Sequence, residues 1–88
     1  MHMSLVLLKL PEVRRRTALQ VTAVYAKVKA GLFTPPVKLT ARSSAWPEHE
    51  VDAINAATIA GASDDAMRGL VRKLVAARTS MMPKTDAA

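Results

Sequence analysis

The chain has 88 residues, so it can form one small domain and is too short for a multidomain enzyme, a propeller or a large barrel. Half of its residues are hydrophobic but only 3% are aromatic, which favours helices around an aliphatic core. There is no cysteine, which excludes disulfides, thiolate metal sites and a thiol nucleophile and fits a reducing compartment. The N-terminal apolar run of residues 5 to 8 is far shorter than the roughly 20 residues of a membrane span, so we expect a soluble protein.

The positive charge is unevenly distributed along the chain. Lys and Arg number 13 against 7 Asp and Glu, a net charge of +6. Residues 1 to 46 hold eight bases and one acid, residues 47 to 62 hold three acids and no base, and the remainder holds five bases and three acids. A basic excess confined to one half is expected when a protein turns one face to a polyanion. Nucleic acid is therefore the leading partner, and a protein that merely has a high isoelectric point is the alternative.

The first half of the chain predicts two short helices joined by a tight turn. Residues 5 to 8 are predicted to form a short buried strand or an extended segment. Pro11 suits the first turn of a helix that reaches about Thr17, because its missing N–H is not needed there. After a break at residues 18 to 20, apolar side chains recur at helical spacing until Gly31, which is expected to end the second helix. This apolar stripe consists of Val21, Val24, Tyr25 and Val28. The pattern is that of a helix-turn-helix.

A small β-hairpin is predicted directly after the second helix. Pro35-Pro36 favours extended chain, and Val37 and Leu39 then alternate with polar residues. Residues 44 to 46 can form the returning strand, which leaves Arg42 at the tip of the turn. A hairpin in this position is the wing of a winged helix-turn-helix.

Two further helices are predicted in the second half. Pro47 opens one that ends at Gly61, and Ser63 is expected to cap another. The apolar stripe of the last helix consists of Met67, Leu70, Val71, Leu74 and Val75. This stripe either completes a thin core or docks on a neighbouring copy of the chain, which on DNA would be a head-to-tail contact. We expect a DNA-binding domain over residues 5–60, an amphipathic helix over 63–79 and a flexible tail over 80–88.

A series of short motifs between residues 5 and 60 resembles a known family. The motifs, in chain order, are Leu7-Leu8-Lys9-Leu10-Pro11-Glu12-Val13, Thr17-Ala18-Leu19, Val24-Tyr25, Lys29-Ala30-Gly31, Phe33, Pro36-Val37-Lys38-Leu39, Ala45-Trp46 and Glu50-Val51-Asp52. Together they resemble the AlpA-type phage regulators, which are close to the excisionases, or recombination directionality factors, of prophages and integrative elements. The resemblance implies a MerR-like winged helix-turn-helix that places its second helix in the major groove and its wing in the adjacent minor groove.

The resemblance also implies a function without catalysis. Such proteins regulate transcription near an integrase gene, or they bind attachment sites cooperatively, bend the DNA and assist a tyrosine recombinase toward excision. We expect an excisionase, with transcriptional control as the runner-up and an antitoxin-like protein-interaction module as the alternative from another class. The expected partners are duplex DNA, further copies of the chain and a tyrosine-recombinase integrase, without a membrane. The expected location is the bacterial cytoplasm, at the nucleoid.

Three positions depart from the pattern of similar proteins. Ala18 replaces the usual Gly of the inter-helix turn, which costs roughly 1 kcal/mol if the residue is left-handed. Gln20 replaces Ser at the start of the second helix and is a weaker cap. Val21 stands where Arg or Lys is often found, so specificity is expected to rest on Gln20, Thr22, the wing and DNA shape rather than on arginine–guanine contacts.

The candidate DNA contacts fall into three groups. Arg42 is the strongest single candidate, because an arginine suits the negative potential of a narrow minor groove. Lys38, Ser43 and Ser44 would support it on the phosphates. Residues of the two helices complete the set: Arg14, Arg15, Arg16, Lys27 and Lys29 for phosphates, and Gln20, Thr22 and Ala23 for bases. For each, the alternative is a solvated side chain, and Tyr25 is either a phosphate donor or a core residue with an exposed hydroxyl.

No set of residues predicts catalysis. His49 has no second metal ligand at a suitable spacing, so we expect it at the surface. Asp64 and Asp65 are expected to stabilise a helix start, and the three glycines form no phosphate loop. We therefore expect no enzyme activity, no metal and no cofactor.

Overall fold

The structure is a computed structural model that describes residues 5–83. It confirms a mainly helical chain with a small β-hairpin. The elements in chain order are β1 (Leu7–Leu8), α1 (Leu10–Thr17), α2 (Val21–Lys29), β2 (Val37–Thr40), β3 (Ser43–Pro47), α3 (Glu48–Ile59) and α4 (Asp64–Ser80). The order of α1, α2 and the β2–β3 hairpin is that of a winged helix-turn-helix. The last five residues of the predicted tail, 84–88, lie outside the described residues.

The turn between α1 and α2 contains a left-handed residue, a backbone conformation that is unfavourable for the alanine found there. Ala18 is left-handed, with φ 60° and ψ 22°, and its N–H donates to the Arg14 carbonyl at 2.8 Å. An alanine costs about 1 kcal/mol there because its Cβ crowds the backbone. Gln20 takes the N-cap position of α2 without a side-chain capping bond. Leu19 packs against the core between them and fixes how the two helices cross.

The sheet has three antiparallel strands rather than the two of the predicted hairpin. β3 lies in the centre, with β2 on one side and β1 on the other. Leu8 pairs with Trp46, and the β2–β3 ladder contains a bulge between Lys38 and Thr40. A short buried strand or an extended segment is predicted over residues 5–8; Leu7 and Leu8 form β1, and burial is wrong for all but Leu8. A two-residue edge strand turns just one of its side chains toward the core.

The core forms where α1, α2, α3 and β3 meet. The Trp46 and Phe33 rings pack edge to face, with their centroids 6.4 Å apart. The indole N–H of Trp46 donates to the Thr34 carbonyl at 2.8 Å. Helix α4 completes this core, with Met67 and Val71 buried. The buried apolar residues of the cluster are Leu8, Val13, Val24, Phe33, Trp46, Val51, Ile54, Met67 and Val71.

Helix α2 buries a narrower stripe than its periodicity predicts. Val24 is fully buried and Val28 packs partly against the core. Val21 and Tyr25 are 38% and 45% exposed, so the expected four-residue stripe is only half correct. The helix has nine residues and contacts the core along one line, and the remaining side chains face solvent.

A buried ion pair holds α4 against the rest of the fold. The Glu50 side chain is completely buried and accepts two hydrogen bonds from Arg78, at 2.7 and 2.6 Å. Arg78 also donates to the Pro35 carbonyl at 2.7 Å, just before the wing. Near the other end of α4, Arg68 donates to the Ala30 carbonyl at 3.0 Å, at the end of α2. These bonds fix α4 to α2, α3 and the base of the wing.

Arg78→Ala is expected to lower the free energy of unfolding by about 3 kcal/mol, because it leaves the Glu50 carboxylate buried without its cation. Chemical denaturation followed by circular dichroism measures the loss. Arg72→Ala, which removes an exposed arginine from the same helix, is the matched control and should change stability by less than about 0.5 kcal/mol. Equal stabilities of the two variants would contradict a structural role for the pair.

Candidate nucleic-acid interface

The outward face of α2 carries one cation and no acid. Residues three or four positions apart share a face of a helix, and Val24 and Val28 mark the face that packs inward. The exposed residues of the helix are Val21, Thr22, Tyr25, Ala26 and Lys29. Apolar and methyl-bearing side chains therefore dominate the surface that a recognition helix would present.

The predicted base-contacting residues do not all lie on this outward face. Thr22 lies on it, and Gln20 is exposed at the start of the helix. Ala23 is half-buried on the flank, as is Lys27, which lines a cleft toward α3 and α4. Sequence periodicity alone placed Val21 and Tyr25 on the buried side, and Ala26 carried no signal. Only the packing of α2 distinguishes these residues.

The wing presents Arg42 at its tip. Arg42 is exposed, and within residues 5–83 its side chain makes no hydrogen bond or ion pair. Its backbone N–H donates to the Thr40 hydroxyl at 3.2 Å, which orders the turn. Lys38 donates to the Ala41 carbonyl at 3.4 Å and so lies along the same hairpin.

A lysine outside the wing is fastened to its second strand. The Lys9 ammonium donates to the Ser43 hydroxyl, which links the start of α1 to the hairpin. Ser44 is half-buried in β3. Lys9 was not among the contacts predicted from the sequence, because Lys9 and Ser43 are 34 positions apart and no local pattern joins them.

The three consecutive arginines of α1 have different surroundings. Arg15 bonds to Glu12 at 3.0 Å, and Arg16 bonds to Glu12 at 2.9 Å and to Glu48 at 2.6 Å. Hydrogen bonds from Arg15 and Arg16 lower the pKa of Glu12 to about 2, so Glu12 is ionised at neutral pH. Arg14 instead donates to the side-chain oxygen of Gln20 at 3.3 Å. Arg16 therefore joins α1 to α3, whereas Arg14 has no carboxylate partner within residues 5–83 and lies beside the start of α2.

Aromatic contact fixes α2 relative to the wing. The centroids of the Tyr25 and Trp46 rings are 6.0 Å apart, and the angle between the ring planes is 61°. Trp46 belongs to β3, the strand that pairs with β2 to form the wing. Edge-to-face contacts of this kind add to the packing energy and define a preferred orientation. The Tyr25–Trp46 contact therefore joins α2 to β3, the strand that continues into the wing.

The helix-turn-helix and the wing form a stretch without acids. Residues 13–47 contain seven bases and no acid, whereas residues 48–66 contain five acids and no base. Two of those acids form ion pairs: Glu48 with Arg16, and Glu50 with Arg78. Positive potential is therefore concentrated on the part of the chain that contains α2 and the wing.

Neither a cluster of metal ligands nor a membrane-spanning helix is found in residues 5–83. This part of the chain contains no group of three or more potential metal ligands, and none of its helices is long and apolar enough to cross a bilayer.

His49 does not lie at the surface as expected, because both of its ring nitrogens are buried and lack hydrogen-bond partners. The neighbouring Glu48 N–H donates to the Val6 carbonyl at 2.7 Å, which brings the N-terminal segment against the start of α3.

Comparison with known families identifies the chain. Residues 6–54 match the family described as "Prophage CP4-57 regulatory protein (AlpA)". This match covers more than half of the chain and includes α1, α2, the wing and part of α3. Comparison with curated proteins and with solved structures gives no match. The match confirms the resemblance found in the sequence, and the chain belongs to the AlpA family of prophage regulatory proteins.

Proposed function

We propose that this regulatory protein binds duplex DNA, with α2 in the major groove and the β2–β3 wing in the adjacent minor groove. The observation that carries the proposal is that Arg42, exposed at the tip of the wing and without a carboxylate partner in the described chain, lies with α2 in one acid-free stretch of sequence. A helix fits the width of the major groove, and an arginine suits a narrow minor groove.

The cations around α2 are suited to phosphate contacts. Arg14 lies at the start of the helix and Lys29 in its last turn, so together they span its length. Lys38 lies on the wing and completes a border of positive charge. Arg15 and Arg16 contribute less to DNA binding in this proposal, because their charge is partly offset by Glu12 and Glu48. Phosphate contacts of this kind fix the position of a protein on DNA but do not read its sequence.

The finer proposal is that the protein acts as an excisionase. It would bind several adjacent sites at an attachment site, bend the DNA and assist a tyrosine-recombinase integrase. Transcriptional control is the second candidate, and the description of the family as regulatory favours it. A protein with either role would be found at the bacterial nucleoid.

Contact between copies on DNA would need a surface other than the apolar stripe of α4. Met67 and Val71 are buried in the core, and Leu70 and Leu74 pack against it. Val75, which is 36% exposed, is the most accessible of the five residues predicted for self-association. The 86% exposed Ile59 at the end of α3 is a more open apolar side chain for a head-to-tail contact.

Arg42→Ala is expected to weaken duplex binding about tenfold and to reduce any preference for A·T pairs under the wing. Fluorescence anisotropy with labelled short duplexes, repeated over a range of salt concentrations, measures both effects. Arg72→Ala is the matched control, because it removes an exposed arginine from α4 and should leave the affinity unchanged. Unchanged binding by Arg42→Ala would contradict the placement of the wing.

The same titrations test DNA binding itself. For the unaltered chain, the logarithm of the affinity should fall linearly with the logarithm of the salt concentration, by about 0.9 per phosphate contacted. Indifference to duplex DNA at low salt would contradict the proposal and support the antitoxin-like protein-interaction module.

Cooperative bending distinguishes the two regulatory roles. Duplexes that contain one or several adjacent copies of a site selected from random sequence can carry fluorophores at both ends. An excisionase should bind the repeated sites cooperatively and shorten the end-to-end distance, because neighbouring copies stabilise the bend. Independent binding without a change in energy transfer would contradict the excisionase role and leave transcriptional control.

A further inference from the structure

The outward face of α2 contains an apolar strip that the proposed phosphate contacts do not use. Val21 and Tyr25 are one helical turn apart and are 38% and 45% exposed. Thr22 and Ala26, also one turn apart, lie exposed beside them. We call these four residues the α2 strip. Single exposed apolar side chains are normal in proteins, but a contiguous group on a candidate binding helix indicates a contact surface.

The charges around the strip indicate which kind of partner fits it. Arg14 lies at its N-terminal end, Lys29 at its C-terminal end, and Lys38 and Arg42 on the neighbouring wing. No acid occurs between residues 13 and 47. A partner that presents apolar groups between two rows of negative charge matches this arrangement. In the major groove of DNA, the apolar group on the base edges is the 5-methyl group of thymine, and the phosphates lie on both sides.

The α2 strip contains few groups for reading bases by hydrogen bonds. Bidentate contacts to guanine or adenine need Arg, Lys, Asn or Gln, and the strip contains none of these. Gln20, at the N-cap, already accepts a hydrogen bond from Arg14 through its side-chain oxygen. The Arg14 bond restricts the orientation in which the Gln20 amide could meet adenine. Apolar contact is therefore the main recognition chemistry that the α2 strip offers.

The strip is also held in a defined shape. Val21 is β-branched, so its side chain has few rotamers to lose on binding. The Tyr25 ring rests edge to face on the buried Trp46. Little conformational entropy would be lost when such a surface binds.

We propose that Val21 and Tyr25, with Thr22 and Ala26 beside them, form a surface that recognises thymine methyl groups in the major groove. This inference rests on the proposed function, since it names the bases that α2 would select.

The test removes single methyl groups from the DNA. Binding sites are first selected from short random duplexes, and each thymine of the selected site is then replaced by deoxyuridine, one position at a time. The affinity of the unaltered chain should fall about fourfold at one or two thymines, since each buried methyl group contributes on that scale. The salt dependence of binding should stay the same, because no phosphate contact changes.

Two variants connect the lost methyl group to α2. Val21→Ala should weaken binding to the thymine duplex and should no longer respond to deoxyuridine at the affected position. Val75→Ala is the matched control, because Val75 is 36% exposed but lies on α4. It should respond to deoxyuridine like the unaltered chain.

Each contrary outcome has a distinct meaning. Equal affinity of the unaltered chain for thymine and deoxyuridine duplexes would overturn the inference and leave duplex binding intact. If the Val21→Ala variant stays as sensitive to deoxyuridine as the unaltered chain, the assignment of methyl recognition to Val21 is overturned. Failure to select or bind any duplex would overturn the proposed function itself.

Discussion

The position of Trp46 determines how β3, the strand that continues into the wing, is placed against α2. Its ring is 1% exposed and contacts Phe33 and Tyr25, while its N–H is bonded to the Thr34 carbonyl. Trp46 lies in β3, which pairs on one side with β1, where Leu8 is opposite Trp46, and on the other side with β2. The wing therefore cannot rotate away from α2 without breaking contacts in the centre of the core. Trp46 therefore links α2 to the strand that carries the proposed wing contacts.

The acids of α3 have a structural use that affects this surface. Glu48 binds Arg16 of α1, and the buried Glu50 binds Arg78 of α4. These carboxylates therefore join helices instead of adding negative charge beside α2. Breaking such pairs is costly, because a buried charge that loses its partner is poorly solvated. Segregation of charge along the sequence thus produces both a stable arrangement of helices and a positive helix-turn-helix and wing.

The sequence predicted the elements well, because their signals are local. Pro11 in the first turn of α1, left-handed Ala18 and Gly31, and Ser63 as the cap of α4 are all found in the structure. Each depends on residues a few positions apart. The order of elements followed from these signals and from the resemblance to the AlpA family.

The sequence could not predict which tertiary contacts each side chain makes. Val21 and Val24 have the same periodic pattern, yet only Val24 is buried, because burial depends on where the sheet lies against α2. The pairing of Glu50 with Arg78 joins residues 28 positions apart, and each alone is explained equally well by the helix dipole. The composition of the candidate site was thus largely predictable, but the division between inward and outward residues of α2 was not.

The most direct test of the proposed surface is an NMR titration of the labelled protein with a short duplex. Perturbed amide and methyl signals should cluster at residues 20–29 and 38–43, with small changes over residues 67–78 of α4. Signals that respond mainly at residues 59–66, in the connection between α3 and α4, while α2 and the hairpin stay unchanged, would contradict the proposed placement of the helix and wing on DNA.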